Sequence, residues 1–162
     1  HDLLAGSVDV VVGRVGGRAL QLPLNYQVLY TEPVCFVARP DHPLAKYPLL
    51  PWHDLANWRW IVWPTGTPIR ISIDNALVDN GVMLPENIIE SASINVSTNL
   101  LQSSDMISIL SLRLAQRYAA QGQLAILNLP KIEQKGSVGV FWRNNETPTT
   151  ALNRFLYYLA QA

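Results

Sequence analysis

Residues 59–81 read RWIVWPTGTPIRISIDNALVDNG, and this stretch decides the fold class. Arg59 to Trp63 is a short apolar run of strand length. Pro64 to Pro68, PTGTP, is a loop, and a helix is predicted from about Ile69 to Asn80. Thr67 is placed to cap that helix, Pro68 occupies its first position, and Gly81 ends it. A strand that passes through a tight loop into a helix is the unit of α/β sheets.

Toward the C-terminus the same alternation continues. Leu84 to Glu90 holds a strand, and Ser91 and Ser93 lead into a helix over Ile94 to Gln102. Ile107 to Leu110 is a strand, and Leu112 to Gln121 is a helix stopped at Gly122. Ala125 to Leu129 and Val138 to Arg143 are two more strands. A last helix is capped by Thr147 and Pro148, with Leu152, Phe155, Leu156 and Leu159 as its apolar face.

Toward the N-terminus, Trp52 to Asn57 reads as a short helix. PDHPLAKYPLLP, residues 40–51, carries four prolines in twelve residues and is predicted to be an extended crossing segment. Tyr26 to Tyr30 and Val34 to Arg39 read as strands interrupted at Pro33. Gly13 to Gly17, GRVGG, is expected to be a loop. The β-branched run from Val8 to Val12 suits a strand covered on both faces, as in a parallel sheet. Leu3, Leu4 and Gly6 suit a final helical turn, so an interior cut at His1 is expected. The pattern predicts two α/β lobes with a largely parallel sheet and a cleft between them. The strand-rich stretch near residues 20–50 marks where the chain leaves one sheet and starts another.

Composition narrows the function classes. With 162 residues, 49% of them hydrophobic and 15% charged, the chain can bury a proper core. Twelve basic and twelve acidic residues give a formal net charge of zero. Nucleic-acid binding draws on clustered cations, and Arg14, Arg18, Arg39, Arg59, Arg70, Arg113 and Arg117 are scattered, so this segment alone is not expected to bind DNA. The single cysteine, Cys35, reads as a small apolar residue in the run Pro33 to Val37 and fits a reducing, cytoplasmic compartment. No apolar run approaches the ~20 residues of a membrane span.

Catalytic and metal motifs are absent from the sequence. His1, His42 and His53 have no cysteine or carboxylate at metal-ligand spacing, and His42 and His53 are assigned surface or local hydrogen-bonding roles. There is no H-E-x-x-H, C-x-x-C, G-x-S-x-G or G-x-x-x-x-G-K. Gly13, Gly16 and Gly17 follow a strand, but their spacing is not that of a dinucleotide loop. Neither a metal, a cofactor nor a catalytic residue is expected.

Ligands of open α/β sheets settle at the carboxyl ends of strands beside helix N-termini. Three places offer that chemistry. Gly13 and Arg14 are read as ending the first strand. Thr65, Gly66 and Thr67 join a strand to a helix start, with Arg70 one turn in. Ser91 and Ser93 repeat the arrangement in the next unit. Backbone N–H groups and hydroxyls there suit a carboxylate or a sugar hydroxyl.

These segments together resemble the effector-binding domain of LysR-type transcriptional regulators. LAGSVDVVVGR resembles a helix end and strand of that family. VLYTEPVCFVARPDHPLA is similar to its L-x-x-E-x-[LMV]-x-[LF]-V-[AV]-x-x-x-HPLA, with Glu32 and residues 42–45 in register. HDLANWRWIV, IIESASINVSTNLLQSSDMISILSLRLA, GQLAILNLP and VGVFWRNNETPTTALNRFLYYL follow in the family's order. Trp58 stands where a proline is usual, Ser104-Asp105-Met106 replaces G-x-G, and Ser111 replaces a proline. The S-D-M tract and P-T-G-T-P-I-R resemble the subgroup of galactose-binding-protein and protocatechuate-pathway regulators.

The resemblance implies two Rossmann-like lobes of the type 2 periplasmic-binding-protein kind, N-terminally truncated. Residues 1–43 and 137–162 would form lobe one, without its first β–α unit, and residues 44–136 lobe two. It implies a small-molecule effector, a sugar or an aromatic or dicarboxylic acid. It also implies a homodimer or homotetramer, and DNA contact only through an absent helix-turn-helix. A periplasmic solute-binding protein is the first alternative and a two-lobe enzyme the second.

Overall fold

A computed structural model describes residues 2–130, 135–144 and 149–159. The chain divides into two units, one of His1–Thr31 with Gly136–Ala162, the other of Glu32–Lys135.

In the second unit, the later half of β2 (Leu24–Ala38) stands with β3 (Trp60–Val62), β4 (Ile88–Glu90), β5 (Ile107–Ser111) and β6 (Ala125–Leu127). The order is β6-β2-β5-β3-β4. β3 pairs parallel with β4 and β5, whereas β2 pairs antiparallel with β5 and β6. The sheet is therefore mixed rather than largely parallel. Its parallel strands are those joined by helical crossovers, α1 (Pro68–Asp79) and α2 (Ile94–Gln102), because a parallel pair needs such a connection.

Successive residues of β3 point to opposite faces. Trp60 and Val62 join one core with Phe36, Ile107, Ile109 and the buried face of α1, which is Ile69, Ile73, Ala76 and Leu77. Ile61 joins a second core with Val37, Leu110, Leu101 of α2 and Ala115 of α3 (Leu112–Ala120). Each large apolar side chain buried this way contributes about 1.5–3 kcal/mol. Cys35 packs half-buried against the second core. Burial pushes its thiol up to about 12, which suits an apolar filler.

His42 is fully buried, not at the surface. Its Nδ1 accepts from the Leu44 N–H at 3.1 Å, so its Nε2 is the donor to the Asp105 carbonyl at 3.2 Å. The local role expected of it holds, with a long-range bond added. Its ring packs against Trp58, tilted by 59° at 4.4 Å between centroids, and the Arg39 guanidinium meets the Asp105 carboxylate at 2.8 Å. The S-D-M tract thus ties the proline-rich crossing segment to the start of β5. Burial lowers the His42 imidazole below its ordinary value, with Arg39 adding to the effect, against the opposing pull of the Asp105 carbonyl and charge.

In the first unit, β1 (Val10–Val15) pairs antiparallel with β7 (Lys135–Arg143), which neighbours the early half of β2. Three expectations need correction here. Gly13–Val15 continue the strand in place of a loop, because they keep ladder partners on β7 from Gly139 to Ser137. Val11 and Val12 are 41% and 49% exposed. Among the described residues β1 pairs on one side only, so its valines reflect the fit of β-branched residues to a pleated backbone. Finally, Pro33 does not interrupt β2. It sits one residue before pairing with β5 begins at Val34, where its missing N–H removes none of those bonds. α4 (Thr150–Leu159) closes this unit; its expected caps Thr147 and Pro148 lie outside the described residues.

Gly13 and Gly139 face each other in the β1–β7 ladder. A Cβ on Gly139 would come within 2.6 Å of the Val15 side chain and 2.7 Å of the Gln27 carbonyl oxygen, whereas one on Gly13 meets nothing within 4 Å. Gly139→Ala is expected to cost about 1–3 kcal/mol and Gly13→Ala less than about 0.5 kcal/mol, read from urea midpoints. A second expectation concerns pH. A folded-state imidazole value below the unfolded one means that the unfolded chain binds the proton more readily. The His42 contribution is therefore complete above about pH 6.5 and declines as pH falls through that value toward the folded one. His42→Ala should cost about 2 kcal/mol at pH 8 through the unpaired Leu44 N–H and Asp105 carbonyl. The loss relative to wild type should shrink at pH 5; a loss that grows there contradicts the assignment.

Candidate functional site

The register of β3 against β4 places Val62 opposite Glu90, so the carboxyl ends of both strands lie side by side. Ser91 extends the pairing, its N–H donating to the Val62 carbonyl at 2.9 Å. From these ends the chain enters α1 and α2.

The loop after β3 is held from both sides. Trp63 Nε1 donates to the Ile109 carbonyl at 3.0 Å, which anchors the loop to β5. Gly66 has φ of 85°, a left-handed conformation that glycine adopts without steric cost. Thr67 occupies the N-cap of α1. Its hydroxyl does not bond the first turn, as a capping side chain would; it donates to the Pro64 carbonyl at 2.8 Å. The cap is thus a matter of backbone geometry, with the hydroxyl closing the turn. Ser93 does cap α2, accepting from the Val96 N–H at 3.4 Å, and Ser91 Oγ accepts from the Ser93 N–H at 3.1 Å.

A polar network joins the two strand ends. Thr65 Oγ1 donates to Glu90 Oε1 at 3.0 Å, and Arg70 Nη1 donates to the same oxygen at 3.0 Å. Arg70 Nη1 also reaches the Trp63 carbonyl at 3.2 Å, and Nε meets both Asp74 oxygens at 2.8 and 3.1 Å. The Arg70 side chain is 11% exposed. It is a structural clamp and not the solvated surface cation that its sequence position allows. Burial alone would lower its guanidinium, but the hydrogen bonds and charges of Asp74 and Glu90 outweigh that and hold it above the ordinary arginine value.

Six sequence-predicted residues, Thr65, Gly66, Thr67, Arg70, Ser91 and Ser93, therefore stand in the loops and helix starts that follow two adjacent strand ends of the second unit. Gly13 and Arg14 belong to the first unit, inside β1 rather than at its end, paired with Gly139 and Val138. Sequence reasoning missed Glu90 and Asp74. The four-residue spacing of Arg70 and Asp74 on a helix is a visible signal, and Glu90 is the single charge at the end of an apolar strand. The second unit also carries a depression of about 320 Å³ lined by Asn95, Thr98, Asn99, Gln102, Tyr118 and Gln123, none of them charged. Among the described residues no group of three or more His, Cys, Asp or Glu could hold a metal. No helix among them is long and apolar enough to cross a membrane.

The sequence model for the LysR substrate binding domain matches residues 1–162. The chain is similar to the HTH-type transcriptional regulator GbpR of Azospirillum brasilense, 30% identical over 139 residues, covering 85% of the chain and 40% of that protein. It is also similar to the HTH-type transcriptional regulator PcaQ of Agrobacterium fabrum, 29% identical over all 162 residues and 52% of that protein. The chain thus spans about half, or less, of the curated relatives it matches. Among solved structures, the regulatory domain of Synechocystis PCC6803 CcmR in complex with 2-PG superposes with a TM-score of 0.84 at 23% identity, over 99% of the chain and 76% of that domain. The effector binding domain of QuiR in complex with shikimate gives 0.82 at 17% identity, over 99% and 74%. The fold is accordingly that of LysR regulatory domains, of the type 2 periplasmic-binding-protein kind, and the chain belongs to the LysR substrate-binding domain family.

Proposed function

We propose that this chain is the effector-sensing part of a DNA-binding transcriptional regulator, with the effector held at the carboxyl ends of β3 and β4. The observation that carries the reading is the alignment of those two ends by the Val62–Glu90 register, in a chain that belongs to a substrate-binding family. Thr65, Gly66, Thr67, Ser91 and Ser93 supply hydroxyls and main-chain amides for the effector, and Arg70 holds the loop that presents them. Gly13 and Arg14 are proposed to serve the same ligand.

The effector is expected to favour one arrangement of two lobes, residues 1–43 with 137–162 and residues 44–136. A homodimer would then pass that change to a helix-turn-helix outside this chain. Such a ligand shifts the equilibrium only by its differential affinity for the two states. The regulators among the relatives support this reading over a solute-transport protein and over an enzyme. A cytoplasmic setting and the absence of catalysis are part of the same proposal.

A thermal-shift screen of neutral sugars, aromatic acids and dicarboxylic acids is expected to yield a stabilising compound. At a hundredfold excess over Kd the gain is about 2.7 kcal/mol. Calorimetric titration of that compound should then show Thr67→Ala, Ser91→Ala and Arg14→Ala each binding about three- to tenfold more weakly, as for a lost hydrogen bond. Wild-type affinity in all three would remove the site assignment.

A further inference from the structure

We infer that the depression between α2 and α3 is a second binding site, separate from the strand ends, for a neutral polyhydroxylated ligand of about disaccharide size. Its lining is chemically uniform. Asn95, Thr98, Asn99 and Gln102 come from α2, Tyr118 from α3 and Gln123 from the turn after it. Four of these side chains are carboxamides, two carry hydroxyls, and none is ionised. Positions 95, 98, 99 and 102 fall on one stripe of a helix. At 1.5 Å per residue that stripe is about 10 Å long, the span of two sugar rings.

The walls are set by the fold and need no ligand to form. Leu101 of α2, Ala115 of α3 and Leu124 share the second core, each at most 3% exposed, which fixes the two helices against each other. Gly122, with φ of 67°, ends α3, its N–H donating to the Ala119 carbonyl at 2.9 Å. The Gln123 N–H then returns to the Tyr118 carbonyl at 2.9 Å, and this keeps Gln123 next to Tyr118. The volume of about 320 Å³ lies at the lower end of the range for ligand pockets, about 300–1,000 Å³.

Unused hydrogen-bonding capacity gives the ligand class. Among the described residues, the carboxamides of Asn95, Asn99, Gln102 and Gln123 and the Tyr118 hydroxyl have no protein partner. The Thr98 hydroxyl has given its proton to the Ile94 carbonyl at 2.8 Å and keeps its lone pairs. Each carboxamide offers donors and an acceptor on one planar group. A sugar hydroxyl also donates and accepts, so a row of carboxamides matches a row of hydroxyls. A carboxylate accepts only and an ammonium donates only, and neither finds an opposite charge in the lining. The Tyr118 ring, an apolar body with a polar tip, suits the C–H face of a sugar. A protein partner would ask for an apolar centre, which this lining lacks apart from that ring.

The test follows backbone and side-chain amide signals of the whole chain by NMR during titration with lactose, maltose, sucrose and trehalose in turn. Lactobionate serves as the charged counterpart of lactose. At least one neutral disaccharide is expected to shift the side-chain NH₂ signals of Asn95, Asn99, Gln102 and Gln123 saturably. Its affinity should change by less than about twofold between low and high salt, and lactobionate should bind no more tightly than lactose. Asn99→Ala and Gln102→Ala, both at exposed positions, should each weaken that disaccharide about three- to tenfold, as for a lost hydrogen bond, with urea midpoints unchanged. Thr67→Ala and Ser91→Ala, at the strand ends, should bind it as wild type does, which separates this site from the effector site. Absence of a saturable shift at these side chains with every disaccharide overturns the inference, as does wild-type affinity in both depression variants or tighter binding of lactobionate. Movement of the same signals with protein concentration alone also overturns it, by assigning this face to a second copy of the chain. Each of these outcomes leaves the effector-site reading standing.

Discussion

Three residues carry the second unit: Trp60, Ile61 and Val62, each at most 1% exposed. They form a strand flanked by parallel partners on both edges and by apolar cores on both faces. A strand in that position has no polar side, so every backbone group needs a ladder partner and every side chain an apolar neighbour. The placement of α1 on one face and of α2 and α3 on the other follows from it. So does the site, because a parallel neighbour in register ends at the same level.

The polar network is a consequence of that geometry. Where β3 and β4 stop together, two loops bring Thr65, Arg70 and Glu90 into hydrogen-bond range. The loops themselves are fixed by the Trp63 indole on the Ile109 carbonyl and by the turn at Pro64 to Thr67. The partly buried Arg70 clamp links loop to helix and strand to strand. It holds the region in one arrangement more than it adds stability, since ion pairs whose acids are nearly half exposed contribute about 1 kcal/mol or less each.

Much of this is legible in the residues. Pro68 and Gly81 bracket α1, Ser93 announces α2, and the alternation of strand and helix names the fold class. Where structure and sequence pattern part, the cause is shared: local patterns do not reveal partners. Gly13 and Gly16 suggest a loop at residues 13–17, yet a facing strand keeps Gly13–Val15 extended. Pro33 suggests a break, yet a strand can carry proline where no ladder bond is asked of its N–H. His42 looks like a surface residue beside Asp41, and it is buried because Leu44 and Asp105 occupy both of its nitrogens. Thr67 stands at its expected cap position while its hydroxyl bonds elsewhere, since the Pro64 carbonyl competes with the helix for it. Glu90 gains its meaning only when β3 and β4 are in register, and no spacing along the chain shows that.

The aligned ends of β3 and β4 are proposed to receive the effector. Backbone amide chemical shifts, followed while the chain is titrated with a stabilising compound from the screen, test it most directly. The largest changes are expected on Thr65, Gly66, Thr67 and Ile69 and on Ser91 to Val96. Changes confined to the depression between α2 and α3, at Asn99, Gln102 and Gln123, with the two strand ends silent, would contradict it.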